Sequence, residues 1–412
     1  LMGNAGPISI GGGRFSQGGQ TACDGALFLD MRELNRIVAI DENARTIVAE
    51  AGVTWRQMME AVDPLGLAPK IMQSFFNFTL GGSLSVNCHG DYVGLGSIVD
   101  SVRAIRLVMA DGAVQTASRS ENPELFAAAI GGYGAVGVIV EATLDLAENS
   151  KVERVTHLMS VTEYRAWHRA NVLGRPDAIL HHAVIYPGAY TDIAAELCTR
   201  TDKPLAVQSR LAPVGAPSDF DRFILDIVTF TPIGGSVHEH LYDPLTAGQT
   251  EVAWRNYEAA RDAYSLEPRS RAEITYALQE YFVPVERFEA FTAKMGHILR
   301  AHSANILNVA IRHAPADQET LLAWAKSESF SFVLYYAQET HEAAKAAVGA
   351  WTRELVDAAV GEGGSFYLPY QIHATRDQFL AAYPRAPEFF TAKRRFDPND
   401  KFRNRLWQAY AL

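Results

Sequence analysis

Cysteine is scarce in this chain: Cys23, Cys88 and Cys198 are the three among 412 residues, and no C-x-x-C pair occurs. An odd, scattered set offers neither a disulfide framework nor a thiolate zinc site. No metal is therefore expected, and a reducing, cytoplasmic setting is the default expectation. Long apolar runs are missing as well. No stretch approaches the ~20 residues that span a bilayer, so no transmembrane segment is expected, and no signal peptide is visible. Positive charge is also in deficit. Lys and Arg total 37 against 47 Asp and Glu, for a net charge of −10 and an isoelectric point near 5.7. Without a basic stripe, a nucleic-acid partner is excluded from the expectations. The short run Lys393-Arg394-Arg395 beside Asp397 reads as a solvated helix face.

What remains is ordinary globular composition, 48% hydrophobic and 20% charged, enough for a sizeable core in two domains or in one domain split by an insertion. Ile8–Ile10 and Ala26–Asp30 read as short strands, and Ile37–Ile40 with Thr46–Glu50 as a hairpin. Thr54 is a plausible N-cap for an amphipathic helix carrying Trp55, Met58, Met59 and Val62, ended by Pro64 and Gly66. Ala104–Met109 and Val114–Thr116 flank the turn-forming Asp111-Gly112. Asn122-Pro123 opens a short helix, and Val138–Leu146 is a β-branched strand. Beyond about 150 the pattern changes. Helices are expected over Val252–Tyr264 and His341–Ala359, strands over Asn308–His313 and Ser331–Tyr336, and a loop over 212–219. No internal repeat or low-complexity tract is present.

Three glycine-rich segments carry the chemistry. The first is Gly11-Gly12-Gly13-Arg14-Phe15-Ser16-Gln17-Gly18-Gly19. Glycine lets backbone amides approach a ligand with no Cβ in the way, and consecutive amides form a nest for anionic oxygens such as a pyrophosphate. This loop arrives within about ten residues of the start, an arrangement expected of a chain that begins inside a domain. The second segment runs through Thr79, Gly81, Gly82, Ser85, Asn87, Cys88, His89, Gly90, Gly94 and Ser97, whose small side chains would let a flat ring lie against the backbone. The third, Gly132-Tyr133-Gly134-Ala135-Val136-Gly137, fits G-x-G-x-x-G, yet it follows a helix and precedes a strand. A dinucleotide fingerprint needs the reverse order, so a Rossmann fold is rejected.

These segments, in this order, resemble the FAD-binding domain of the vanillyl-alcohol oxidase (PCMH-type) family. The first loop is similar to that family's pyrophosphate loop, and Thr79–Ser97 to the stretch passing the flavin ring. Gly131–Leu144 resembles its closing turn and strand, where Gly137, Val138 and Ile139 would meet the adenine side. Gly363–Trp407 resembles the segment that returns to the flavin domain. The branch it most resembles holds the sugar, polyol and aldonolactone oxidases, with the decaprenylphosphoryl-ribose oxidases. The resemblance implies an α+β fold. Residues 1–146 would form the FAD-binding domain, 147–365 an antiparallel-sheet substrate or cap domain, and 366–412 a return segment.

It also implies FAD-dependent oxidation of a C–OH group, with hydride passing to flavin N5, a small-molecule substrate, and O2 or another electron acceptor. Where the family commonly has a flavin-linking histidine this chain has Phe15, preceded by Arg14, and Ser74–Phe78 lack the cysteine of a second tether. Noncovalent FAD is therefore expected, with Arg14 near the phosphates or in solvent. Tyr367, Gln371 and His373 would share one face of a C-terminal strand. His373 and His89 are the candidate bases, Tyr367, Gln371 and Arg312 further catalytic groups, and Tyr367 also touches the cofactor. Arg312, Tyr336, Tyr370 and Gln371 are the candidate substrate contacts. Two rivals stand beside this: oxidative ring closure of a secondary metabolite, disfavoured by the missing tethers, and a flavin-binding electron carrier without turnover.

Overall fold

The computed structural model describes residues 6–215, 250–266 and 270–411. Its first part contains β1 (Ile8–Gly11), β2 (Leu27–Asp30), the hairpin β3 (Ile37–Asp41) and β4 (Thr46–Glu50), α1 (Trp55–Val62), β5 (Leu67–Pro69) and α2 (Leu80–Ser85). There follow β6 (Val102–Val108), β7 (Val114–Ser118), α3 (Pro123–Ala129) and β8 (Val138–Glu148). β1 and β2 pair in parallel, and an antiparallel sheet runs β3-β4-β8-β6-β7, with β5 on the far end of β8. Local chemistry sets the ends of α1. Thr54 and Gln57 form a reciprocal capping box, and Gly66, at φ 71°, takes the left-handed turn that follows. Trp55, Met58, Met59 and Val62 are buried, each contributing about 1.5–3 kcal/mol relative to exposure.

The chain continues through β9 (Lys151–Ser160), α4 (Val161–His168), β10 (Ala178–Ile185), β11 (Asp192–Arg200), β12 (Glu251–Trp254), α5 (Arg255–Ala259), β13 (Ile274–Pro284) and α6 (Phe288–Ala301). Next come β14 (Ile306–Ala314), β15 (Ser329–Glu339), α7 (Glu342–Gly361), β16 (Ser365–Phe366), α8 (Arg376–Ala382), α9 (Ala386–Phe396) and α10 (Arg405–Tyr410). The strands form one antiparallel sheet in the order β12-β9-β11-β10-β14-β15-β13-β16. Period-2 alternation splits its faces. Tyr281 and Phe332 point toward α6, where Phe288 and Phe291 meet them, while Glu280, Val333, Ala310 and Val184 lie on the other face in direct register.

The end of the chain closes on its beginning. The Ile8 amide donates to the Lys401 carbonyl at 2.7 Å and the Arg403 amide to the Ile8 carbonyl at 2.9 Å. Asn404 Nδ2 and Trp407 Nε1 donate to the carbonyls of Tyr133 and Gly132.

Three expectations need correction. Val252–Tyr264 is not one helix: Val252 and Ala253 are buried in the edge strand β12, α5 spans five residues, and Arg261 then bridges to Phe75. Sheet edge pairing overrides the helical periodicity there. Residues 367–374 are not a strand, since β16 ends at Phe366. Lys393 is not solvated, because it is mostly buried against Asp397 and donates to the Phe402 carbonyl at 2.9 Å. Of the expected loop 212–219, residues 212–215 lack regular structure and the rest lie outside the described residues.

Candidate active site

A cavity of about 400 Å³ lies between the eight-stranded sheet and the first part of the chain, within the ~300–1,000 Å³ usual for ligand sites. One wall is the glycine loop. A Cβ on Gly12 would collide with Thr79 Oγ1, and one on Gly13 would sit 2.8 Å from the Phe15 ring. Arg14 turns the loop at φ 58°. Gln20 anchors it from behind: its Nε2 donates to the carbonyls of Leu368 (2.8 Å) and Tyr370 (2.5 Å), while its Oε1 accepts from the Gly18 amide. Gln17 Oε1 accepts from the Leu278 amide at 2.7 Å, tying the loop to β13. Among the described residues, the amides of Arg14, Phe15 and Ser16 bond no protein acceptor. Unspent donors at a surface no Cβ can enter suit a pyrophosphate.

The opposite wall is charged and buried. His89 Nε2 lies 2.7 Å from Glu280 Oε1, with side-chain exposures of 4% and 1%. Tyr370 donates its hydroxyl to Glu280 Oε2 at 3.1 Å. Burial pushes the Glu280 carboxyl up, but His89 foremost, then Arg312 and Tyr370, brings it below the ordinary carboxylate value. On β14, Arg312 Nε stands 2.6 Å from Asp91 Oδ1, in ion contact but out of line for a hydrogen bond, and its Nη2 donates to Ser74 Oγ at 2.8 Å. Burial raises Asp91 too. Arg312, with smaller contributions from His182, Arg261 and His89, outweighs it, so Asp91 is held ionised.

Comparisons with known proteins identify the first wall. Residues 4–118 match the family described as FAD binding domain. The chain is 26% identical to decaprenylphosphoryl-beta-D-ribose oxidase of Mycolicibacterium smegmatis, over 97% of this chain and 88% of that protein. It is 22% identical to L-gulonolactone oxidase of Bos taurus, over 96% and 87% of the two chains. L-gulonolactone oxidase of Mus musculus is 30% identical, over 33% of this chain and 30% of its own. The chain carries an FAD-binding domain and is an FAD-dependent oxidoreductase. The α+β reading of the sequence holds with it.

The oxidoreductase brings most of the anticipated residues to the cavity. Gly11, Gly12, Gly13, Arg14, Phe15, Ser16 and Gln17 line it, with Thr79, Gly81, Gly82, Ser85, Cys88, His89, Gly137, Ile139, Arg312, Tyr367 and Tyr370. Phe15 stacks on Phe78 at 4.2 Å between ring centroids, and Arg14 lies over the Phe28 ring at 5.7 Å.

Other anticipated residues sit elsewhere. Gly18 is backed by the Tyr370 carbonyl, and Gly90 by the Met72 carbonyl. Asn87 Nδ2 donates to Asp317 at 2.8 Å. Gly94 takes a turn at φ 72°, and Ser97 precedes a 3-10 turn, buried. Val138 points away into a small core with Ile8 and Phe402. Tyr336 occupies the helix-facing side of β15, against Trp351 and Gln279, because adjacent strand residues point oppositely; Tyr335 faces the cavity. Gln371 and His373 also lie outside it. His373 Nε2 is 2.8 Å from Gln371 Oε1, and the His373 ring packs against Gly349 of α7. Burial, then Arg353, lowers that imidazole to about 4. Without a strand over 367–374, the alternation that grouped Tyr367, Gln371 and His373 is lost.

Sequence reading missed Gln20, Asp91 and Glu280. Glu280 had a signal, as a lone carboxylate in the apolar run of β13. Asp91, next to the His89-Gly90 pair, had none beyond proximity. Among the described residues, no group of three or more His, Cys, Asp or Glu side chains is placed to hold a metal ion, and no helix is long and apolar enough to cross a membrane.

Proposed function

We propose that the oxidoreductase oxidises a C–OH group of a sugar, polyol or aldonolactone-like small molecule, on a substrate face formed by β13, β14 and β15. One observation carries this reading: the same cavity joins the unspent loop amides to the buried His89–Glu280 pair. The loop amides and the small residues at Thr79, Gly81, Gly82 and Ser85 would hold FAD, which when bound supplies the acceptor for a hydride. With Phe15 at the linking position, the cofactor is held without a covalent bond.

The remaining chemistry belongs to side chains. An alcohol giving up hydride must also lose its hydroxyl proton, and a positioned base accelerates that step by about 10²–10⁴-fold. His89 is that base in this reading, with Glu280 orienting its ring and stabilising the imidazolium, and Tyr370 fixing Glu280. Arg312, held by Asp91 and Ser74, binds substrate oxygen. Tyr367 is a wall: its hydroxyl is committed to the Val86 carbonyl at 2.9 Å. The names of the relatives above, a ribose oxidase and gulonolactone oxidases, support a sugar-like substrate.

Anaerobic mixing with a panel of pentoses, hexoses, alditols and aldonolactones tests the reading. Bleaching of the flavin band by at least one member is expected. A fully loaded, folded protein that none of them bleaches would favour the electron-carrier alternative.

A further inference from the structure

Beyond the reacting end, the cavity continues along the eight-stranded sheet. Glu280 stands on β13, Arg312 two strands away on β14, His182 on the next strand, β10, and Glu196 opposite it on β11. Four inter-strand steps of ~4.8 Å put Glu196 about 19 Å from Glu280. A six-membered sugar ring built from ~1.5 Å bonds spans only about 5–6 Å with its oxygens. The lined face of the sheet is thus longer than one ring.

Its two ends also differ in character. At the reacting end, His89 and Glu280 line the cavity almost wholly buried, in ion contact at 2.7 Å. At the far end, His182 and Glu196 are 27% and 30% exposed, and their nearest atoms are 3.7 Å apart, beyond a good hydrogen bond. Glu258 of α5 lines the same end, 3.5 Å from Arg154, and burial raises its carboxyl above the ordinary value. Exposed Arg261, bridged to Phe75, lines the cavity as well. These groups keep donor and acceptor capacity directed at the cavity.

Resting on the oxidation reading above, we infer that this far end is a second sugar subsite. His182, Glu196 and Glu258 bind the hydroxyls of a glycosyl unit attached to the one being oxidised. The substrate is then a disaccharide or larger glycoside, entering with its extension toward Arg261. Carboxylates and an imidazole suit vicinal hydroxyls, because each carboxylate accepts twice and the imidazole both donates and accepts.

The test measures anaerobic flavin reduction with galactose against lactose and melibiose, glucose against maltose and cellobiose, and arabinose against arabinobiose. At least one disaccharide is expected to reduce the flavin with a half-saturating concentration about tenfold below that of its monosaccharide. His182→Ala and Glu258→Gln should each remove about tenfold of that gain while leaving monosaccharide reduction within about twofold. Ala259→Phe, which plugs the recess, should abolish the disaccharide advantage alone. Bound flavin checks folding for each variant. Equal use of both sizes, or distal variants that weaken both alike, overturns the subsite while leaving the oxidation reading intact. If neither size bleaches the flavin, the oxidation reading falls. Binding of cellobiose and maltose followed by flavin difference spectra, insensitive to turnover, then distinguishes a carrier that still binds sugar from a protein without the subsite.

Discussion

Asp91 and Arg312 meet at 2.6 Å, deep in the cavity wall, with Ser74 bonded to the same guanidinium. One residue comes from a glycine-rich loop of the first part of the chain and the other from the middle of the eight-stranded sheet, so this contact joins the two parts at the cavity. Removing one partner of a buried ion pair strands the other, at about 3–5 kcal/mol. Arg312→Ala is therefore expected to lower the melting temperature of the holoprotein clearly. Arg312→Lys keeps the charge but loses the fork, and should weaken substrate binding more than stability. Equal melting curves for the wild type and Arg312→Ala would remove Asp91–Arg312 as a fixed element of the wall.

Gly12→Ala should lose FAD. Its Cβ would collide with Thr79 Oγ1, and the loop would have to shift away from the position in which its amides face the cavity. Absorbance of the purified variant should show an apoprotein with native circular dichroism. Full flavin content would place the cofactor elsewhere.

Phe15 offers no nucleophilic atom, and it is occupied in stacking on Phe78. Acid precipitation of the wild type is expected to leave FAD in the supernatant and a colourless pellet. A yellow pellet would reveal a covalent link at another residue.

Much of the first part of the chain was legible because its signals are local. The Thr54 capping box, the Asp111-Gly112 hairpin and the glycine loop each depend on residues within a few positions of one another. The eight-stranded sheet was less legible. Whether Tyr335 or Tyr336 faces the cavity is a matter of strand parity, fixed by pairing with β13 and β14 rather than by the tyrosines themselves. Glu280 and His89 lie nearly two hundred positions apart, and no local pattern announces their meeting. Val252 and Ala253 fit a helical pattern yet fill a strand position, because β9 offers them an edge.

A second titratable cluster sits on the helix-facing side of that sheet. The His168 ring meets those of His181 and His313 at a tilt, with centroids 5.1 and 4.9 Å away. His181 Nε2 faces the Tyr164 hydroxyl at 2.8 Å and its Nδ1 the Glu196 carbonyl at 2.7 Å, while His313 Nε2 faces Glu328 at 2.8 Å. Burial, foremost, lowers His168 to about 2 and His181 to about 3. The unfolded chain binds these protons near pH 6.5 and the folded chain does not. Stability should hold above about pH 6.5 and fall below it, by about 1.4 kcal/mol per pH unit for each such histidine. Denaturant titrations between pH 7 and 5 measure that slope, and His168→Phe should reduce it. A flat profile would mean the imidazoles are accessible to protons in the folded state.

Single-turnover flavin reduction in Glu280→Gln bears on the oxidation chemistry more sharply than any other assay. With the best substrate from the sugar and lactone panel, and with FAD content equal to that of the wild type, the rate should fall by about 10²–10⁴-fold. A variant that reduces its flavin as fast as the wild type would show that the His89–Glu280 pair takes no part in the reaction.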